Sequence, residues 1–289
     1  MPARIETRSP SLVRQLGFVS ASALVVSNMV GTGIFGTTGF MAGDLGSAGV
    51  ILLVWVAGAL FALAGAFSYA ELGINYPSSG GEYVYLTRAF GPAWGFMTGW
   101  VSFFAGFSAP IAANALAFAD YLSYFHPGLE QANPQHTLGA GVLSLRLGGA
   151  QLLGGALIAL FTVLNCFGVA FIARIQNGLT ATKLAVIVCF ILLAFTAGSG
   201  SWAHFSMPAE RTATTPLPVQ FIVSLLWVMF SYSGWNAATY VAEEVRRPER
   251  TLPVALAAGT LLVTVLFLGL NVVYIYSTPL EQMKGVLAV

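Results

Sequence analysis

Seven apolar runs divide the chain, and each is long enough to cross a bilayer as a helix of about 20 residues. They extend over residues 17–42, 48–72, 94–124, 150–172, 178–198, 219–242 and 254–277. The first run is too long for the apolar core of a signal peptide, and no small-residue cleavage pattern follows it, so it is predicted to be retained as a span. The pattern predicts an all-α polytopic membrane protein.

Small polar residues interrupt two of these runs in the middle. The first interruption is at residues 30–34 (VGTGI) and the second at residues 230–235 (FSYSGW). A helix that is broken in hydrocarbon leaves N–H and C=O groups without partners, so a break persists only where it is buried in protein or lines a water-filled site. A pair of broken helices in corresponding positions indicates the substrate site of a transporter. The pattern therefore predicts a secondary transporter that binds its substrate at the two breaks.

The spacing of the breaks predicts a repeated architecture. Four unbroken spans separate the two broken ones, so a repeat unit contains five spans, and an odd number inverts the second unit in the membrane. We expect a cytoplasmic N-terminus at residues 1–16, a first five-helix repeat (spans 1 to 5) at 17–198 and the start of a second repeat (spans 6 and 7) at 199–289. This second unit is incomplete, so the chain is expected to be truncated after the seventh helix.

Composition and charge place the chain in a bilayer and orient it. Apolar residues make up 57% of the 289 and charged residues 8%, and the mean hydropathy is +0.79. A soluble domain needs about a quarter charged residues. With the N-terminus inside, the basic residues show the positive-inside bias expected in a plasma (inner) membrane: Arg4, Arg8, Arg14, Arg88, Arg174, Arg246, Arg247 and Arg250 are cytoplasmic, and only Arg146, Arg211 and Lys284 are external. The net charge of +1, with no basic stripe, gives no reason to expect nucleic-acid binding.

Four motifs in a fixed order carry a family resemblance. They are Gly31-Thr32-Gly33-Ile34-Phe35 in the first helix, residues 69–73 (YAELG) with 76–83 (YPSSGGEY) after the second, 230–236 (FSYSGWN) in the sixth, and 243–245 (EEV) with 248–253 (PERTLP) after it. Together they resemble the amino acid–polyamine–organocation (APC) superfamily of permeases, and within it the L-type amino acid transporter branch. The resemblance covers the whole chain but only the first seven of the family's usual twelve helices. It implies a leucine-transporter-like inverted five-helix repeat in which helices 1 and 6 are broken.

The breaks predict a pocket for a zwitterion. The freed N–H groups of Gly31, Thr32 and Gly33 lie at the positive end of a half-helix, where a carboxylate is favoured. Free carbonyls between Ser27 and Val30, at the end of the other half-helix, suit an ammonium group. A kink or a glycine packing site is the alternative for a single break, and the pairing of the breaks argues against it.

The second break is expected to complete this pocket. As the resemblance also implies, the carbonyls of Phe230 and Ser231 join the ammonium site, and the Phe230 ring is an aromatic gate over the substrate. The side-chain pocket is expected to be lined by Tyr232, Trp235 and Asn236, although simple packing explains Trp235 equally well.

Lys183 lies within the fifth predicted span, where a charge is costly and indicates function by default. In sodium-independent members of the family, a lysine at the matching place, downstream of Arg174, Gln176 and Asn177 here, occupies the space that a sodium ion fills in sodium-coupled relatives. The resemblance therefore implies that Lys183 substitutes for a cation beside the first break and that transport needs no sodium. Snorkelling of Lys183 to the cytoplasmic interface is the alternative.

The residues around the breaks favour a neutral substrate. No acidic residue lies near either break, and a second positive charge on the substrate would want a carboxylate partner. We therefore predict a permease or exchanger of neutral L-amino acids that works by alternating access. The alternatives are a cationic amino acid or polyamine antiporter and, from a different class, a sensor or truncated remnant that binds without transport. An enzyme is least expected, because the spans show no paired carboxylates, metal-ligand spacing or nucleophile–base set.

No cofactor or metal is predicted. Cys166 and Cys189 fall within spans, where a disulfide or metal site is not expected, and His126 and His136 are predicted to be solvated in an outer loop. The expected partners are a small amino acid substrate and the lipid bilayer. A single-span heavy chain accompanies some relatives, but the outer loops contain no cysteine to tether one, so an accessory subunit and the oligomeric state are left open.

Overall fold

The computed structural model describes residues 13–129, 136–138 and 145–286, and these fold mainly into helices. Six helices are long and apolar enough to cross a membrane, which confirms the prediction of an all-α polytopic membrane protein. They extend over Phe18–Leu45, Ala48–Asn75, Pro92–Ser123, Val169–Thr196, Leu217–Glu244 and Pro248–Ser277. A further apolar helix, Gly149–Asn165, has 17 residues and corresponds to the fourth predicted run.

Several of these spans consist of more than one helical segment. The α-helices are α1 (Phe18–Met29), α2 (Gly33–Leu45), α3 (Ala48–Asn75), α4 (Glu82–Phe90), α5 (Pro92–Val101), α6 (Ala109–Ser123), α7 (Gly149–Asn165), α8 (Val169–Thr196), α9 (Leu217–Tyr232), α10 (Pro248–Ser277) and α11 (Leu280–Met283). A π-helical segment, Ser102–Ser108, joins α5 to α6, and 3₁₀ segments cover Pro127–Leu129, Trp202–Ser206 and Ala237–Glu244. Two short strands, β1 (His136–Leu138) and β2 (Leu145–Leu147), pair antiparallel with His136 opposite Leu147.

The predicted junction between the fourth and fifth spans is placed too late. The fourth run was expected to continue to residue 172, but α7 ends at Asn165 and α8 begins at Val169. Gly168 has a φ of +97°, a backbone conformation that glycine adopts readily and other residues rarely do. The chain therefore turns at this glycine, and Arg174 and Gln176 belong to the first turns of α8.

Packing divides the chain into two compact units, residues 1–84 with 173–289 and residues 85–172. The first unit contains both breaks. The second contains α5, the π-helical segment, α6 and α7, and within it α6 packs against α7. These packing units are not the predicted repeats at 17–198 and 199–289, because repeats are defined by internal symmetry and not by contacts. The repeats stay a prediction. Residues 1–12 of the predicted cytoplasmic N-terminus lie outside the described residues.

An aromatic cluster on α3, α9 and α10 forms the core of the first unit. Trp55, Tyr232 and Phe267 are fully buried, with ring centroids 5.2–5.7 Å apart. Tilted and edge-to-face ring pairs stabilise by about 0.5–1.5 kcal/mol beyond the burial of their area. The cluster fixes the end of α9, where the second break begins, against α3 and α10.

Small residues bring α1 close to α10 in the same unit. A Cβ added to Gly259 of α10 would lie 2.8 Å from Cγ1 of Val25 on α1. Glycine at a helix contact lets two backbones approach closely, which is how helices pack in a bilayer that offers no hydrophobic driving force. The exposed face of α8, in contrast to this contact between small residues, presents large apolar side chains: Leu179, Val186 and Leu193 are all exposed. Such a surface suits contact with lipid.

Candidate functional site

The first break separates α1 from α2 at residues 30–32. α1 closes with a hydrogen bond from the Val30 N–H to the Val26 carbonyl at 2.9 Å, and the Gly31 N–H then turns back to the Met29 carbonyl at 3.0 Å. α2 starts at Gly33 and, as at any helix start, its first N–H groups have no intrahelical acceptor. The break thus presents a helix C-terminus and a helix N-terminus, which carry partial negative and partial positive charge, three residues apart.

Gly33 places the start of α2 directly against α9. A Cβ on Gly33 would lie 2.7 Å from Ser231 Oγ and 3.1 Å from Ser231 Cα, so the contact requires glycine. One turn further along α2, Thr37 Oγ1 lies 3.1 Å from Ser231 Oγ, and the Ser231 hydroxyl also donates to the Trp227 carbonyl. The structure therefore brings the predicted carboxylate-binding end of α2 to the second break.

The second break begins where α9 ends at Tyr232. The Ser233 N–H donates to the Phe230 carbonyl at 3.0 Å, and Gly234 follows with a φ of +109°. A Cβ on Gly234 would lie 2.8–2.9 Å from the backbone of Asn28 in α1. The chain then continues as the 3₁₀ segment Ala237–Glu244. Gly234 thus seats the second break against the end of α1.

Lys183 of α8 reaches the end of α1. Its Nζ donates to the Val30 carbonyl at 2.8 Å and to the Ser27 carbonyl at 3.3 Å. Beside it, the Gln176 amide donates to the Ser27 hydroxyl. The C-terminal carbonyls of a helix attract a cation because they carry partial negative charge and lack intrahelical donors. The two carbonyls predicted to bind the substrate ammonium therefore accept hydrogen bonds from Lys183 in this structure.

The remaining residues of the breaks are accessible. A Cβ on Gly31 would meet nothing within 4 Å, and Thr32 is exposed. Phe230, the predicted gate, is 67% exposed at the end of α9. The start of α2 is therefore accessible at Gly31 and Thr32, and the Phe230 side chain is accessible at the end of α9.

Tyr232 and Trp235 make their contacts elsewhere. Tyr232 is fully buried between Trp55 and Phe267 on the side of α9 that faces the aromatic core. The Trp235 ring meets Tyr69 of α3 edge to face at 4.9 Å, and a Cβ on Gly65 would lie 2.6 Å from it. Both side chains hold the second break in place by packing.

Asn236 also points away from the first break. Its Nδ2 donates to Oε1 of Glu82, at the start of α4, and to the Tyr240 hydroxyl at 3.1 Å. The ten predicted site residues therefore fall into four groups. Ser27 and Val30 contact Lys183, Gly33 contacts Ser231, Gly31, Thr32 and Phe230 are accessible, and Tyr232 and Asn236 make their contacts elsewhere.

Three residues that the sequence prediction left out also belong to this arrangement: Thr37, Glu82 and Gly234. Gly234 stands inside the sixth-helix motif, and a glycine directly after a serine, as in Ser233-Gly234, is a detectable turn signal. Glu82 lies 154 residues from its partner Asn236, so no local pattern connects them.

A cavity of about 290 Å³ lies between α1, α8 and α10. Its walls are mostly apolar, with Ser22, Asn177 and Thr180 as the polar exceptions. It contains no residue from 27–33 or from 230–236, so the described cavity is separate from the breaks. Within the described residues, no three histidine, cysteine, aspartate or glutamate side chains are placed to hold a metal ion.

Comparisons with known proteins identify the family of the chain. The model of a family described as amino acid permease matches residues 16–288. The b(0,+)-type amino acid transporter 1 of Mus musculus is 31% identical over 285 residues, which are 97% of this chain and 55% of the relative. The large neutral amino acids transporter small subunit 2 of Homo sapiens is 29% identical over 275 residues, 94% of this chain and 49% of the relative. The chain thus spans about half the length of the curated relatives it matches.

Proposed function

Because this chain belongs to the amino acid permease family, we propose that it binds and exchanges neutral L-amino acids without sodium, by alternating access around the two breaks. The observation that carries the proposal is the contact between the breaks, where the start of α2 packs on Ser231 while the Lys183 ammonium lies on the end of α1. Family membership places the chain among transporters rather than enzymes.

The start of α2 supports a carboxylate site. A helix N-terminus carries the equivalent of about half a positive charge and several N–H groups without acceptors. Gly31 and Thr32 leave the approach to these groups open. The α-carboxylate of an amino acid is the group that this end of the helix favours.

The end of α1 supports an ammonium site next to it. The Ser27 and Val30 carbonyls each accept one hydrogen bond from Lys183. A carbonyl oxygen has two lone pairs, so each of them retains one further acceptor position. The carbonyls of Phe230 and Ser231 lie at the second break and extend this acceptor set.

The charges around the breaks support a neutral substrate side chain. In the described residues, neither an aspartate nor a glutamate hydrogen-bonds to residues 27–33 or 230–233. The carboxylate of Glu82 lies further along the second motif, where it accepts a hydrogen bond from Asn236. A substrate with a second positive charge would have to desolvate it without a counter-ion, which is costly. The human relative named above is a transporter of large neutral amino acids, which points the same way.

Lys183 supports sodium independence. A sodium ion bound at the same carbonyls would lie close to the ammonium group. At a separation of about 4 Å and an effective dielectric constant of about 20, two unit positive charges repel by about 4 kcal/mol. A sodium ion brings no carboxylate to offset this repulsion, whereas a zwitterionic amino acid does. The lysine therefore supplies the positive charge that a sodium ion would otherwise bring to the end of α1.

The experiment that tests the proposal is counterflow in liposomes. We expect purified protein in liposomes loaded with unlabelled leucine to accumulate radiolabelled leucine equally in sodium and in choline buffer, and other neutral amino acids to compete. Sodium-stimulated uptake would contradict the role given to Lys183. Competition by arginine or putrescine would favour a cationic amino acid or polyamine antiporter, and leucine binding without counterflow would favour a sensor.

The proposed membrane is the plasma (inner) membrane, with the N-terminus in the cytoplasm. The distribution of basic residues supports the orientation, since eight are internal and three external with the N-terminus in the cytoplasm. Labelling of single cysteines introduced near Arg88 and near Arg211 tests it. A reagent that does not cross the membrane is expected to reach only the second position in intact cells.

A further inference from the structure

The loop between α3 and α4 packs tightly on the 3₁₀ segment that follows the second break. The Gly80 N–H donates to the Tyr240 carbonyl at 3.2 Å, and the Glu243 N–H donates to Ser79 Oγ at 3.3 Å. Gly81 has a φ of +53°, and a Cβ there would lie 2.7 Å from the Tyr240 ring. The loop and the 3₁₀ segment are therefore built to lie against each other.

Glu82 is at the centre of this contact. Its Oε1 accepts from Asn236 Nδ2, which also donates to the Tyr240 hydroxyl. Its other oxygen, Oε2, is buried and meets no donor within the described residues. Hydrogen bonds to a carboxylate are about twice as strong as neutral ones. The charge-assisted bond from Asn236 to Glu82 thus ties the residue that precedes the 3₁₀ segment to the start of α4.

Asn236 connects Glu82 to the substrate site. Two residues before Asn236, Gly234 lies against Asn28 of α1, and one residue before it, Trp235 packs on Tyr69 of α3. A shift of Asn236 moves Gly234 and the adjoining carbonyls of the second break, because only one residue lies between them. The contact with Glu82 therefore holds the second break on the side that does not face the first break.

We propose that Glu82 is a positioning residue for substrate binding, which holds Asn236 and through it sets the place of the Phe230 and Ser231 carbonyls opposite α1. Neither side chain touches the substrate. This reassigns Asn236, predicted from sequence to line the side-chain pocket, to a tie between two segments. The inference rests on the proposed function, because substrate affinity is one of its two measurements.

The test exchanges the hydrogen-bond donor and acceptor between Glu82 and Asn236. Asn236→Asp places two carboxylates face to face, and we expect leucine affinity to fall about tenfold or more, as for residues coupled by direct contact. Glu82→Gln keeps an acceptor oxygen toward Asn236, and we expect affinity within about twofold of the original protein. In the double variant the new amide donates to the new carboxylate, so affinity is expected to return to within about threefold.

The chain offers a matched control. Asn75 Nδ2 donates to Glu71 Oε1 at 2.9 Å, which is the same pair of residue types one turn apart on the exposed end of α3. Asn75→Asp is therefore expected to leave leucine affinity unchanged. An Asn75→Asp loss as large as that of Asn236→Asp would mean that any new carboxylate on this side weakens binding, and would overturn the proposal.

A second measurement tests the contact between Glu82 and Asn236 independently of the proposed transport function. Thermal unfolding in detergent is followed for the same variants without substrate, and the double variant is expected to recover stability that Asn236→Asp loses. If the original protein binds no amino acid but this recovery is seen, the proposed function fails and the tie between Glu82 and Asn236 stands. If the original protein binds leucine and the double variant recovers neither affinity nor stability, the positioning role of Glu82 is wrong. An Asn236→Asp protein that does not fold is informative as well, since Glu82→Gln must then restore a folded double variant.

Discussion

The two breaks have similar small, polar residues but are held by different interactions. The first is an open gap between α1 and α2, where Lys183 lies on two carbonyls and Gly31 borders empty space. The second turns at Gly234 against the Asn28 backbone and continues at once into a 3₁₀ segment anchored by Trp235 and Asn236. A charge stabilises the first break, whereas close packing and neutral donors stabilise the second.

This difference indicates which break can accept new hydrogen bonds from a ligand. The Ser27 and Val30 carbonyls each keep one lone pair beside the hydrogen bond from Lys183, so an arriving substrate ammonium group can bind there without displacing the lysine. A backbone contact without spare volume has no such alternative, since protein interiors are close-packed. We therefore expect the removal of a charge to have its largest effect at the first break and added volume to have its largest effect at the second.

The largest effect is expected from Gly234→Ala. A Cβ there meets the Asn28 backbone at 2.8 Å, and the φ of +109° is strained for any side chain. Overpacking and backbone strain each cost about 1–3 kcal/mol, so we expect a loss of about 4 kcal/mol in the free energy of unfolding. Thermal or denaturant unfolding in detergent measures it.

Gly285→Ala is the matched control for this variant. Gly285 also has a positive φ, +71°, but a Cβ there would meet nothing within 4 Å. Only the backbone strain of about 1–2 kcal/mol is expected. Equal losses at the two glycines would show that the contact between Gly234 and Asn28 contributes nothing, and the second break would not be held by packing.

The next effect is that of Lys183→Ala on the first break. The variant leaves the Ser27 and Val30 carbonyls without their charged donor, and a hydrogen bond to a charged group contributes about 1.5–3 kcal/mol. Leucine affinity is expected to fall about tenfold or more, since each 1.4 kcal/mol is a factor of ten. Equilibrium binding of radiolabelled leucine to the purified variant measures the change.

Lys284→Ala provides the comparison for lost positive charge. Lys284 pairs with Glu281 at 2.5 Å, but Glu281 is exposed, and exposed ion pairs contribute little. Affinity is expected to be unchanged. If Lys183→Ala also leaves affinity at its original level, Lys183 is not part of the substrate site and its contacts with α1 are incidental.

The sequence predicts those features of the site that depend on residues close together in the chain. The breaks themselves follow from local chemistry, because glycine and serine within an apolar run interrupt the helix where they stand, and both appear at the predicted residues. The intramembrane charge of Lys183 is equally visible, although only the structure shows that its Nζ reaches Val30. Each of these signals lies in a stretch of a few residues.

The directions of Tyr232 and Asn236 could not be predicted in the same way. Both belong to the motif at the second break. The Tyr232 ring nevertheless packs against Trp55 of α3, and the Asn236 amide bonds to Glu82, which is distant in sequence. A side chain's direction depends on which helices surround it, and no pattern within residues 230–236 contains that information. The junction at Gly168 was misplaced for another reason, since apolar residues continue on both sides of the turn.

A smaller effect is expected from volume at the first break, where two glycines can be compared. A Cβ on Gly33 would lie 2.7 Å from Ser231 Oγ, whereas one on Gly31 would meet nothing within 4 Å. We expect Gly33→Ala to cost about 1–3 kcal/mol of unfolding free energy, because the Ser231 side chain and backbone must shift. Gly31→Ala is expected to be close to neutral in stability. A Gly31→Ala protein as unstable as Gly33→Ala would show that the space at Gly31 is not open.

The smallest effect is expected from Ser231→Ala, which separates the hydroxyl of Ser231 from its carbonyl. The hydroxyl bonds to Thr37 at 3.1 Å and to the Trp227 carbonyl, so its loss costs about 1 kcal/mol of unfolding free energy. The proposed site uses the main-chain carbonyl, which the substitution retains, so leucine affinity is expected to stay within about twofold of the original. Thr37→Val removes the other partner of the same bond and serves as the control for stability alone. A tenfold loss of affinity in Ser231→Ala but not in Thr37→Val would assign substrate binding to the serine hydroxyl, and the second break would then bind its ligand by a side chain rather than by the backbone that its packing holds in place.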